Sequence, residues 1–242
     1  FRFPPCNEAR TILWCESDDL IHWSPPRVYA YPDTKDAATY GMYGVYEADG
    51  WPYESMWLGC LSMTAYFPSP NTDWLVKRNW IVLAGSRDGH TWYYLGDREP
   101  FIPNGDGNSF DAHYIRMANL CNTGGPLVRD NELWFYYLGN YGGTTEFGGL
   151  ERGSRARWEY GGGIGKIRRD GFASLNAGDR AGLVITRPLT FLGEGVLWVN
   201  ADVEPGGYVK VSVLSENAAE VPMFEEHNCN GVSMDTLCGA IR

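Results

Sequence analysis

Ser17-Asp18-Asp19-Leu20-Ile21-His22-Trp23 and Ser86-Arg87-Asp88-Gly89-His90-Thr91-Trp92 are two copies of one pattern, Ser-x-Asp-(Leu/Gly)-x-x-Trp, set 69 residues apart. Each comes after a strand-forming run, Thr11-Ile12-Leu13-Trp14 and Trp80-Ile81-Val82-Leu83 respectively, and each precedes another strand-like stretch. Asp can bond its own backbone and Gly accepts positive φ, so the pattern predicts a tight turn between antiparallel strands. The Trp then packs its large face back on the sheet. Strand, Asp-turn and Trp recurring at this period suggest one four-stranded propeller blade per copy.

Composition agrees with many short strands. The 242 residues include 30 Gly, ten Trp and fifteen Tyr, and the length suits one large all-β domain or two smaller ones. The formal charge of −10 counts against a nucleic-acid partner, which needs clustered cations. The Arg-rich piece from Arg152 to Arg157 reads as a solvated loop. No apolar run approaches the ~20 residues of a membrane helix, so no membrane span is expected. No signal peptide is visible, and a start at Phe1 reads as a processed product or a partial chain. Six cysteines without Cys-x-x-Cys spacing weaken a zinc reading; their even number fits disulfides in a secreted protein, with buried free thiols as the alternative.

Strand signals continue through most of the chain. Gly41 to Tyr46 is succeeded by an expected turn at Asp49-Gly50 and a strand from Ser55 to Leu61. Trp80 to Ala84, Phe110 to Ile115, Pro126 to Val128, Leu133 to Tyr137 and Gly163 to Ile167 extend the set. The texture changes near Phe172. Beyond it, Leu183 to Thr186, Val196 to Asn200 and Tyr208 to Leu214 alternate as strands with one buried face. The expected organisation is therefore propeller blades over 1–172, then a small β-sandwich and tail over 173–242, the tail tied down by Cys229 and Cys238.

Ser86 to Trp92, Asn131-Glu132-Leu133-Trp134-Phe135-Tyr136-Tyr137 and Arg169-Asp170-Gly171-Phe172-Ala173-Ser174-Leu175 together resemble bacterial secreted proteins related to glycoside hydrolase families 32 and 43. Thr186-Arg187-Pro188-Leu189-Thr190-Phe191 and Leu197-Trp198-Val199-Asn200-Ala201 resemble the sandwich that often comes after their propeller. The resemblance covers roughly residues 10–225. It implies a five-bladed propeller, complete or partial, with a C-terminal β-sandwich. About three blades are countable here, and no segment clearly supplies the family's first-blade carboxylate. For function, the resemblance implies a secreted, glycoside hydrolase-like protein acting on a furanoside or polysaccharide glycan. The alternative is a non-catalytic carbohydrate-binding or self-assembling scaffold protein.

Glycoside hydrolysis needs two carboxyl groups facing each other across the scissile bond. Asp111 opens an inner-strand candidate and is the favoured carboxylate, with Glu54 second; Glu47 is a further acid on the same blade. Period-two alternation puts His113 on the face of Asp111, where it can bind a sugar hydroxyl or tune the acid. Trp51, Tyr40 and Tyr141 are candidates for stacking on sugar rings. No cofactor and no metal are expected: the four His make no zinc pair, and Gly161 to Ile167 lacks the Ser/Thr of a phosphate loop. Asp18, Asp19 and Asp88 belong to the repeated turn. An incomplete propeller would also expose strand edges that invite self-association.

Overall fold

The computed structural model describes residues 10–36, 43–68, 75–107, 109–117, 125–141, 159–190 and 195–241. The protein is all-β; among the described residues helical structure is limited to residues 34–36 and two short 3-10 turns. It divides into two compact units, one of residues 1–129 with 133–166 and the other of residues 130–132 with 167–242.

In the first unit a hairpin of β1 (Ile12–Trp14) and β2 (Arg27–Ala30) carries the first Asp-turn. The long strands β3 (Tyr43–Tyr53), β4 (Met56–Pro68) and β5 (Leu75–Ser86) form an antiparallel meander. Past the second Asp-turn come β6 (Trp92–Tyr94), β7 (Pro100–Ile102), β8 (Tyr114–Met117), β9 (Leu127–Arg129), β10 (Glu132–Tyr141) and β11 (Glu159–Arg168). These nine strands join in one sheet with the main path β11-β10-β8-β5-β4-β3, rather than in separate four-stranded sheets. Strand β5 meets β6, β7 and β8 in succession, β8 in parallel at Asn79↔Tyr114. Strand β4 is the centre of the core: every residue from Leu58 to Ala65 is buried, so it is covered on both faces. The sheet curls. Glu47 of β3 and Arg116 of β8 flank β4 and β5, yet their side chains meet at 2.8 Å.

The two Asp-turns share one construction. Oδ1 of Asp19 accepts from the backbone N–H of Ile21 and His22 at 2.8 and 2.7 Å, and Oδ1 of Asp88 accepts from His90 and Thr91 at the same distances. The Ser hydroxyl donates to that oxygen in both, and the Trp indole donates to the carbonyl of Leu20 or Gly89. Only the second Trp packs on the sheet, however. A Cβ on Gly50 or Gly59 would meet the Trp92 ring at 3.0 and 2.8 Å, and these two glycines face each other across β3 and β4. Trp23 is 54% exposed. The copies also touch: Trp14 stacks on His90 with ring centroids 4.8 Å apart, and Tyr29 packs on Trp92.

Asp49-Gly50 is not a turn. Strand β3 runs through it, pairing Asp49 with Cys60 and Gly50 with Gly59, and the reversal falls at Glu54, whose φ is +50°. Gly50 serves as floor for an indole instead.

Among the described residues the second unit holds one two-stranded sheet, β12 (Leu197–Ala201) with β13 (Thr236–Ile241). Bridges join Val209 to Val232 and Leu214 to Glu220. The strand expected over 183–186 does not form, and 208–214 contributes only those bridges. Among the described residues of this unit, only Cys229 and Val232 of the apolar ones are buried, too little core to order more strands. Among the described cysteines, Cys15, Cys60, Cys229 and Cys238 are free thiols, so the expected disulfides are not formed by these four; Cys6 and Cys121 lie outside the described residues. No helix among the described residues is long and apolar enough to cross a membrane.

Candidate functional site

The favoured acid, Asp111, is buried just before β8. Its neighbours Phe110 and Tyr137 lie nearly parallel, with ring centroids 6.2 Å apart and 12° between planes. Glycines make the room. A Cβ on Gly161 would sit 2.5 Å from the Phe110 ring, one on Gly163 2.1 Å from the Tyr137 ring, and one on Gly139 2.6 Å from Cβ of Asp111. The glycine run of β11 is thus a flat seat for two aromatic rings.

Both carboxylate oxygens of Asp111 are engaged. Ser109 Oγ donates to Oδ1 at 2.6 Å and the Tyr137 hydroxyl donates to Oδ2 at 2.7 Å. Burial, with the Asp111 bond second, pushes the Tyr137 phenol up to about 12, so it stays a donor at neutral pH. The Asp111 carbonyl accepts from Asn104 Nδ2, which also donates to the carbonyl of Asn79. His113 stacks on Tyr141 with centroids 5.0 Å apart. Burial first and the Arg78 charge second hold the His113 imidazole below its ordinary pKa, which favours the neutral ring.

The other candidates scatter. Trp51 is 2% exposed and packs on Phe135 in the core, so it has no free face for a sugar. Glu54 is exposed at the β3–β4 tip. The backbone N–H of Asn79 bonds the carbonyl of His113, and Asn79 stands in register with Thr64 and, through it, Gly44. From Gly44 to Glu54 along β3 is on the order of 30 Å at a strand's rise. Asp111 and Glu54 therefore stand at opposite ends of the sheet. Tyr40 lies outside the described residues.

A second set of residues comes from the register. Thr64 pairs with Asn79, Asn79 with Tyr114, and Tyr114 with Asn140, so one row crosses β4, β5, β8 and β10. Cross-strand partners share a face, so these side chains leave the sheet on the same side. Thr64, Asn79 and Asn140 are each no more than 2% exposed. Asn79 Nδ2 donates to Ser62 Oγ at 3.2 Å, whereas Thr64 Oγ1, Asn79 Oδ1 and both Nδ2 and Oδ1 of Asn140 have no hydrogen-bond partner among the described residues. Each buried polar group left unmade costs about 1–3 kcal/mol, so a fold that keeps four such atoms in one row calls for an explanation. Within the row Tyr114 stands edge-on to Tyr46, and the Glu47–Arg116 ion pair spans the same face. The sequence signal was an Asn directly before the apolar run from Trp80 to Ala84, and another just after the aromatic run of β10. Neither reads as a row until the register is known.

Among the described residues no group of three or more His, Cys, Asp or Glu side chains is placed to hold a metal ion. No protein-family model matches this chain, and neither does any curated protein or solved structure compared with it.

Proposed function

We propose that this protein binds carbohydrate without hydrolysing it. The observation that carries the choice is the state of Asp111. Its two oxygens already accept from Ser109 and Tyr137, which leaves a positioned acceptor rather than an attacking or proton-donating group. A hydrolase needs its second carboxyl group about 5–10 Å away. Glu54 is at the far tip, and Glu47 is tied to Arg116. The group that suits recognition is the stacked pair of His113 and Tyr141.

The propeller of five-bladed type, complete or partial, with its small sandwich belongs to the same proposal. Two hairpins built on one hydrogen-bond scheme support it. Kinship with the glycoside hydrolase families and an extracellular placement rest on the sequence resemblance.

Glycoside hydrolysis is the second reading, favoured by the burial of Asp111. The deciding experiment measures binding and reducing-sugar release on one panel of furanoside and pyranoside glycans, for the parent and for Asp111→Asn. Binding with no release is the expected result. Release that drops by orders of magnitude in the variant would establish the hydrolase, and absence of any binding would end the carbohydrate reading.

A further inference from the structure

We infer that the tip of the β1–β2 hairpin, formed by Leu20, Ile21 and Trp23, is a docking point for a zwitterionic lipid surface. The tip enters the interface of a bilayer and does not cross it. This is independent of the carbohydrate reading and uses none of the groups around Asp111.

The twin turn supplies the comparison. Both copies close on the same Asp bonds, yet where the second carries Gly89 and His90 the first carries Leu20 and Ile21. The construction therefore does not require apolar residues at these two places. Leu20 and Ile21 are 77% and 76% exposed, and every residue from Asp18 to Trp23 faces solvent. Leu20 also holds a left-handed backbone, φ +63°, which Gly89 adopts without strain. Among the described glycines none seats Trp23 as Gly50 and Gly59 seat Trp92. Strain kept at an exposed apolar residue points to a contact outside the chain.

Two properties favour lipid over a protein partner. The first is that the donors at the apex are already used. The N–H groups of Ile21 and His22 go to Asp19 Oδ1, and the Trp23 indole goes to the Leu20 carbonyl. These groups can leave water without being left unpaired, which is the condition an apolar medium sets. The second is size. Three side chains on a turn fall far short of the about 1,200–2,000 Å² of a stable protein interface. Binding to a bilayer interface instead accumulates with each inserted side chain, Leu and Ile toward the acyl boundary and Trp at headgroup level. Charge selects the headgroup. Glu16, Asp18 and Asp19 surround the tip, with His22 on Asp19, His90 near Glu16 and Arg27 at the start of β2. With the chain at −10 overall, an anionic surface repels it and a zwitterionic one does not.

The test is co-sedimentation of the parent, Leu20→Gly and Ile21→Ser with vesicles of phosphatidylcholine, alone or mixed with phosphatidylserine. Thermal melts and sedimentation velocity without lipid accompany it. Both variants keep the turn, since Gly89 fills the Leu20 place in the twin and Ser retains the backbone N–H that Ile21 contributes. The parent is expected to bind phosphatidylcholine vesicles, and to bind less when phosphatidylserine is added. Each variant should lose about tenfold in partitioning, the worth of one buried apolar side chain, while its melting temperature holds or rises. No vesicle binding by the parent would overturn the lipid surface. Equal binding by parent and variants would overturn the tip and move the contact elsewhere. Stronger binding to phosphatidylserine would overturn the zwitterionic preference. Self-association of the parent that both variants abolish, with no vesicle binding, would make the tip a contact between copies instead.

Discussion

Leu20 and Gly89 hold the same place in two copies of one turn, and both have left-handed backbones, with φ of 63° and 76°. Each accepts the indole N–H of the Trp three residues on. Glycine adopts this conformation freely, whereas a side chain there meets the next carbonyl. Leu20 is 77% exposed, so burial returns little for that strain. Leu20→Gly should raise stability by up to about 1 kcal/mol, after the extra chain entropy of an unfolded Gly is set against the relief. Gly89→Ala should lower it. Paired thermal melts of the two variants read both signs.

The carboxylates in these turns make them acid-sensitive. Backbone bonds from Thr91 and then His90 hold the Asp88 carboxyl well below the usual range, and a side-chain bond from His22 leads the same effect at Asp19. A group depressed on folding stabilises the protein above its unfolded pKa, near 3.9 for Asp, and loses that contribution as pH falls toward the folded value. Asp88→Asn keeps an oxygen acceptor but removes the charge. Denaturant melts should show parent above variant by a constant gap from pH 7 to 5, closing below about pH 4. A gap that stays constant down to pH 2 would contradict this.

The turns were legible because their chemistry is local: Ser, Asp and Trp sit within seven residues, Ser bonds Asp, and Asp and Trp bond the backbone of the same turn. The features that stayed hidden are those that depend on register. Asp49-Gly50 has turn composition, yet β3 passes straight through because Gly50 must face Gly59 to seat Trp92, a residue 42 positions away. Likewise Trp51 carries the chemistry of a sugar platform, but packing against Phe135 puts it in the core. Asp111 was singled out by its expected place at the start of a strand, and it stands just before β8. Thr64, Asn79 and Asn140 were not, since nothing local marks three polar residues on three strands as one row.

A clasp of charges fastens the loop after β2 to the loop after β6. Arg98 donates to both oxygens of Asp33 at 2.6 and 2.5 Å and pairs with Asp36 at 2.7 Å, while its guanidinium lies over the Tyr94 ring. Asp36 is 3% exposed, so Arg98→Ala leaves a buried charge uncompensated and should cost about 3 kcal/mol. Arg98→Lys keeps the charge but loses the two-pronged fork, and should fall between. Combining Asp36→Asn with Arg98→Ala should recover part of the loss. Urea unfolding of the parent, Asp36→Asn, Arg98→Ala and the double variant measures the coupling, and strict additivity would mean the two residues do not communicate.

The seat beneath the Asp111 site admits the most specific prediction. A methyl group on Gly163 would lie 2.1 Å from the Tyr137 ring, far inside contact distance, so Gly163→Ala must push that ring off β11. The ring carries the hydroxyl that holds Asp111, so the carboxylate loses one of its two side-chain donors with it. Overpacking of this kind costs about 1–3 kcal/mol, and the lost bond to a charged acceptor adds about 1.5–3 kcal/mol. Tyr137→Phe separates the two effects: it removes the donor without disturbing the seat, so it should show the second cost alone. Adding Tyr137→Phe to Gly163→Ala should then change little further, because the bond is already broken. Chemical denaturation of the single and double variants decides it, and full additivity would show that Tyr137 keeps its bond to Asp111 after the seat is filled.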